Sequence, residues 1–263
     1  MYSGDQNFFH VCVKTGSIPL VKWCVYSAFL AGIFGLAAAA TAQPRVVHFS
    51  SGTGFYVSKN GDVITNRHVV RNCESITTRS GEDVRAAQLI AYDEEKDLAV
   101  LKVEGRPPAV APLRWNLASL RAGQKVSVIG YPGAAGARGE LRYGTSVILG
   151  LAGPLGEPQW IQIKPVLEQG NSGGPLLDAT GNVIGVVTGK TQMFRTRTNS
   201  GSEPELVAAS DVAVTLPMLK GFLDEAKVRY FQSSSGLVAY GDGRLKETAQ
   251  EFVVQVRCVT GTQ

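Results

Sequence analysis

Asn60-Gly61 sits between two apolar runs, Phe55-Tyr56-Val57 and Val63-Ile64, and forms the strongest short-range hairpin signal a sequence can carry. Similar short runs rich in valine and isoleucine follow at 84–92, 97–103, 125–129, 145–149, 160–166, 183–188 and 206–215. Most are too short for an ordinary helix and are closed by glycine, proline or charged turn residues. With 30 glycines as punctuation, these runs predict an all-β chain. The 263 residues suffice for one large or two small domains with a substantial core. At 44% hydrophobic and 18% charged residues, the chain is globular rather than disordered.

Gly105 to Pro112 holds three prolines and no periodicity, so it reads as a connection between two halves, 43–112 and 113–215. Within the second half, Gly133 to Gly139 reads as a mobile loop of small residues, and Lys190 to Pro204 as a polar surface loop. Leu216 to Val228 reads as a helix. Pro217 suits its first turn, and Met218, Leu219, Phe222, Leu223 and Ala226 recur at helical spacing. Residues 229–263 read as a tail containing one strand, Phe252-Val253-Val254-Gln255-Val256.

From Trp23 to Ala42 there is no charged residue, Lys14 and Lys22 lie upstream, and the run ends in Ala40-Thr41-Ala42. This predicts a signal peptide over 1–42, cleaved between Ala42 and Gln43, and therefore an exported protein, periplasmic or secreted. The alternative is an uncleaved membrane anchor, because about 20 apolar residues can span a bilayer. Cys12 and Cys24 leave with that segment; Cys73 and Cys258 remain. In an exported chain these two form a candidate disulfide, the alternative being two buried free thiols. A net charge of +4 with no dense basic block gives no nucleic-acid footprint. No metal-ligand spacing is present, and no cofactor is expected.

The chemistry concentrates in Gly170-Asn171-Ser172-Gly173-Gly174-Pro175-Leu176. A serine among glycines can present its hydroxyl outward while neighbouring backbone N–H groups aim at one point. The Gly-x-Ser-x-Gly pattern also marks the nucleophile elbow of α/β-hydrolases, whose base follows the serine in the chain. Here His10, His48 and His68 all precede Ser172, which removes that reading. An Asp…His…Ser order leaves Asp62 as acid; a His…Asp…Ser order leaves Asp97, with Asp93 as a weaker choice. His68 is the candidate base, able to take the serine proton and return it to a leaving group. Asp97 opens the apolar run Leu98-Ala99-Val100-Leu101 and so stands at the edge of a core, buried yet within reach of an imidazole.

Thr65-Asn66-Arg67-His68-Val69-Val70, Asp97-Leu98-Ala99-Val100-Leu101 and Gly170 to Leu176 together resemble the three catalytic motifs of trypsin-like serine proteases, most closely the bacterial HtrA/Deg branch. The resemblance extends through Val128-Ile129-Gly130-Tyr131-Pro132-Gly133 and covers about residues 50–225. It implies two six-stranded Greek-key β-barrels, with the active site in the cleft between them, a C-terminal helix and a short tail. It implies a triad of His68, Asp97 and Ser172 and an oxyanion hole made by the N–H groups of Gly170 and Ser172. HtrA proteins usually carry a PDZ domain after the protease; a strand with a cysteine is expected here instead. Where trypsin carries its specificity acid, six residues before the nucleophile, this chain has Val166. Carry-over therefore makes Val166, Leu167 and Gly189 the candidate pocket, which implies an aliphatic residue before the scissile bond. The expected function is an exported serine endopeptidase acting on polypeptides. The alternative is a protease-fold binding or sensing module with an unproductive triad.

Overall fold

The structure is a computed structural model that describes residues 47–195, 205–234 and 238–261. The expected signal peptide at 1–42 and the loop positions 196–204 lie outside the described residues. In chain order the elements are β1 (Val47–Tyr56), β2 (Asp62–Asn66), a 3₁₀ turn (Arg67–Val70), β3 (Ser75–Ser80), β4 (Asp83–Asp93), β5 (Leu98–Val103) and β6 (Leu113–Arg114). There follow β7 (Lys125–Gly130), α1 (Gly133–Ala137), β8 (Arg142–Gly150), β9 (Trp160–Ile163), β10 (Pro175–Leu177), β11 (Val183–Arg195) and β12 (Glu205–Thr215). The chain ends with α2 (Leu216–Glu225), β13 (Gln232–Ser233), α3 (Asp242–Gln250) and β14 (Val253–Gly261).

Two closed six-stranded barrels result. The first runs β1-β14-β3-β4-β5-β2. The second runs β10-β7-β8-β9-β12-β11 and closes through the β10–β11 pairing. The hairpin signalled by Asn60-Gly61 forms, with Phe55 opposite Ile64 and Tyr56 opposite Val63. Phe55, Val63, Ile64, Leu98, Val100, Leu101 and Val256 fill the first barrel and are essentially inaccessible to water. Ile161, Ile163, Leu176, Ile184 and Val187 do the same in the second.

Several segments differ from the sequence expectation. The first barrel does not close within 43–112, because that stretch supplies only five of its strands. The sixth is β14, from the expected tail, whose Val253, Val254, Gln255 and Val256 are buried between β1 and β3. The small-residue loop at 133–139 contains the short helix α1, where Gly136 lies against the Tyr131 carbonyl. The polar loop begins later than Lys190, since the β11–β12 ladder continues to Arg195 opposite Glu205. The tail holds a helix, α3, which buries only Leu245 and Ala249 and therefore shows little apolar periodicity.

Helix α2 forms with Pro217 in its first turn and buries Leu219, Phe222 and Leu223. It ends three residues earlier than the apolar spacing suggests. Lys227 adopts φ +57, its N–H reaches the Asp224 carbonyl, and the Val228 N–H reaches that of Leu223, a Schellman closure made without glycine. Cys73 and Cys258 are joined as a disulfide, Cα atoms 5.4 Å apart across 185 residues of sequence. It fastens β14 to the chain segment just after the 3₁₀ turn.

Candidate active site

Strand β2 is buried at all five residues and leads into the 3₁₀ turn. Val69 and Val70 pin that turn to the core and leave the His68 side chain half exposed. Asp97 stands immediately before β5 with φ +52, a left-handed conformation that aspartate tolerates better than most residues. Its carbonyl accepts the Arg67 N–H at 3.1 Å and the Asn66 Nδ2–H at 2.8 Å, which hold it there. Its carboxylate then turns to His68. Oδ1 accepts the backbone N–H at 2.9 Å, and Oδ2 lies 2.7 Å from Nδ1. An ionised carboxylate can only accept, so Nδ1 carries a proton, and in the neutral ring Nε2 is the nitrogen with the free lone pair.

The other acids are committed elsewhere. Asp62 accepts from Ser58 and Lys102. Asp93 is bound by Lys96 through its backbone N–H and its ammonium. Burial pushes the Asp93 carboxyl up, but the hydrogen bonds and charge of Lys96 outweigh it and hold the group below the usual carboxylate range.

Ser172 sits in the second of two consecutive turns. The Asn171 N–H reaches the Glu168 carbonyl at 3.1 Å, and the Gly174 N–H reaches that of Asn171 at 2.9 Å. The third residue of each turn has positive φ, +101° at Gly170 and +85° at Gly173, as a type II turn requires. A side chain at either glycine would also strike backbone, the Tyr131 carbonyl at Gly170 and the Thr53 carbonyl at Gly173. Among the described residues, the N–H groups of Gly170 and Ser172 donate to no protein acceptor. The Ser172 hydroxyl donates to the Thr188 carbonyl at 3.1 Å. His68 and Ser172 face one cleft of about 380 Å³, together with Phe49, Ser50, Ser51, Val69, Gly133 and Gln169.

Two threonines that the sequence reading passed over hold this arrangement together. Thr53 of β1 is fully buried; its N–H donates to the Ser172 carbonyl at 2.8 Å and its hydroxyl to the Gly170 carbonyl at 2.6 Å. Its setting in Gly52-Thr53-Gly54 was the available signal, because flanking glycines permit close backbone approach. Thr188 takes the Ser172 hydroxyl on its carbonyl and an Asn66 Nδ2–H on its own hydroxyl, at 2.7 Å. Asn66 therefore bridges Asp97 of the first barrel and Thr188 of the second.

Of the candidate pocket residues, Leu167 and Gly189 line a second recess of about 230 Å³ with Glu168, Gln169, Ser172 and Lys190. Val166 does not line it and packs against the core of the second barrel. Strand β9 stops at Ile163, short of the expected Val166, because the N–H groups of Val166 and Leu167 leave the ladder for the Asp211 carboxylate. No group of three or more metal-ligating side chains occurs among the described residues.

Residues 52–186 match the family profile described as the trypsin-like peptidase domain. Serine protease Rv3671c of Mycobacterium tuberculosis is 36% identical over 56% of this chain and 38% of its own length. A "Probable periplasmic serine endoprotease DegP-like" of Hahella chejuensis is 32% identical over 68% of this chain and 37% of its own. The chain spans roughly a quarter to two fifths of the length of the curated relatives it matches. Among solved structures, the inactive form of the Rv3671c protease superposes with TM-score 0.51 at 30% identity, covering 68% of this chain and 87% of that one. The HtrA-type protease AlgW with tripeptide gives TM-score 0.54 at 26% identity, covering 67% and 55%.

Proposed function

The chain belongs to the trypsin-like peptidase family, and from that premise we propose that it is an exported serine endopeptidase working through Ser172, His68 and Asp97. The observation that carries the reading is the doubly held His68: Asp97 binds both its backbone N–H and Nδ1, and Nε2 is left as base in the cleft that Ser172 shares.

In this mechanism the Ser172 oxygen attacks the scissile carbonyl carbon and its proton passes to His68 Nε2. The carbonyl oxygen becomes an oxyanion and takes hydrogen bonds from the N–H groups of Gly170 and Ser172. As the C–N bond breaks, His68 returns the proton to the departing amine and an acyl-Ser172 ester remains. Water then attacks the ester, with His68 again taking and returning a proton, and releases the carboxylic acid. Asp97 stays ionised throughout; it fixes the ring tautomer and stabilises the imidazolium.

The Ser172–Thr188 hydrogen bond favours a second reading, a protease-fold binding module with its hydroxyl turned from the base. Magnitude argues against it. One hydrogen bond of this kind is worth about 0.5–1.5 kcal/mol net, so the hydroxyl can leave Thr188 at small cost. Export is supported by the DegP-like relatives with periplasmic names and by the disulfide, which suits an oxidising compartment. No helix among the described residues is long and apolar enough to cross a membrane. The reading is tested by digestion of an unfolded polypeptide. The wild-type protein cleaves it and Ser172→Ala does not; equal cleavage by both removes Ser172 from the mechanism.

A further inference from the structure

We propose that Asp211 determines specificity in this site: its carboxylate, beneath the wall of the recess beside Ser172, selects lysine or arginine as the residue preceding the scissile bond. The inference rests on the endopeptidase reading and deepens it.

Asp211 lies in β12, opposite Lys190 on one side and Ile163 on the other, and is 1% exposed. Its Oδ2 accepts the N–H groups of Val166 and Leu167 at 2.5 and 2.6 Å. Its Oδ1 is enclosed and has no hydrogen-bond partner among the described residues. Lys190 faces it across the ladder, yet is exposed and forms no ion pair with it among the described residues. A carboxylate withdrawn from water with one oxygen unmatched is strongly disfavoured unless a donor is supplied.

The recess beside Ser172 is where that donor can enter. Leu167 and Lys190 line it, and both also flank Asp211, one through its N–H and the other through the ladder. An ammonium or guanidinium brings both a hydrogen bond and the opposite charge, the strongest match for a lone carboxylate oxygen. An aliphatic side chain gains only contact with the walls and leaves Oδ1 unpaired. The charge absent at Val166 is thus supplied from the neighbouring strand, and the aliphatic preference inferred from Val166 gives way to a basic one.

The test is a positional-scanning peptide library digested by the purified protein. Cleavage after lysine and arginine dominates. Asp211→Asn keeps the volume and an oxygen for the Val166 and Leu167 N–H groups. It lowers kcat/KM on these peptides, relative to peptides with leucine or valine before the scissile bond, by on the order of a hundredfold. Dominant aliphatic cleavage by wild type, or an unaltered lysine-to-leucine ratio in D211N, overturns the assignment and leaves the endopeptidase reading standing. A protein that cleaves nothing contradicts that reading, and this inference with it. Should D211N not fold, benzamidine interrogates wild type directly: protection of Ser172 from a fluorophosphonate supports the anionic recess, and no protection overturns it.

Discussion

Asp97 grips His68 twice, at the backbone N–H through Oδ1 and at Nδ1 through Oδ2, so the ring's position and tautomer are set by one side chain. The grip depends on a backbone conformation, φ +52 at Asp97, that the chain would not adopt unaided.

Asp97→Asn presents an amide where Nδ1 needs an acceptor, and the ring can settle in the wrong tautomer. The expected loss in kcat is about 10⁴-fold with little change in thermal stability. Steady-state kinetics on a peptide substrate beside a melting curve measure both; full retained activity removes Asp97 from the assignment.

Asp93→Asn serves as the contrast. The Asp93 carboxylate is tied to Lys96 rather than to His68, so activity should stay near wild type. Its depressed carboxyl has a consequence for stability. A group whose folded pKa lies below its unfolded value contributes fully above the unfolded pKa and loses that contribution as pH falls through the folded one. Asp93→Asn should therefore lower stability at neutral pH and flatten its decline in acid. An unaltered acid limb in urea unfolding across pH contradicts this.

Asn66→Ala deletes the bridge between the Asp97 carbonyl and the Thr188 hydroxyl. A cost of about 1–3 kcal/mol in stability follows from leaving buried groups short of a partner. The fall in kcat should exceed any rise in KM, since Asn66 aligns the reacting groups rather than the substrate. A pure KM effect contradicts the positioning role.

Gly170→Ala places a methyl group against the Tyr131 carbonyl at a φ of +101°. The strain is of order 1–3 kcal/mol, and relief by turning the peptide would spoil the N–H proposed for the oxyanion hole. Activity should drop far more than stability; a variant as active as wild type shows that the Gly170 amide is not used.

The Cys73–Cys258 link closes a loop of 185 residues, and its loss should cost about 2–5 kcal/mol. Mass spectrometry of non-reduced peptides should find the two joined, and Cys73→Ser/Cys258→Ser should unfold at lower denaturant. Free thiols at both positions contradict the link.

The two-barrel fold was legible because each strand announces itself locally, by apolar runs such as Leu98–Val103 and by the Asn60-Gly61 turn. His68, Asp97 and Ser172 were legible because their chemistry demands particular residue types in a particular order. What escaped is set by tertiary contact. Nothing local marks Phe252–Val256 as the strand that closes the first barrel; only the absence of a sixth strand before Gly105 hints at it. Thr53 and Thr188 act partly through backbone groups that any residue carries and partly through hydroxyls whose partners lie 117 and 122 residues away in sequence. Asp211 sits in a mostly apolar strand, and its meaning emerges only once Val166 and Leu167 are seen to donate to it.

The central claim is that Ser172 is an activated nucleophile, and fluorophosphonate labelling followed by peptide mass spectrometry tests it most directly. The adduct should fall on Ser172 in the wild-type protein and be absent from both Ser172→Ala and His68→Ala. A wild-type protein that remains unlabelled, or His68→Ala labelled at the wild-type rate, contradicts the account.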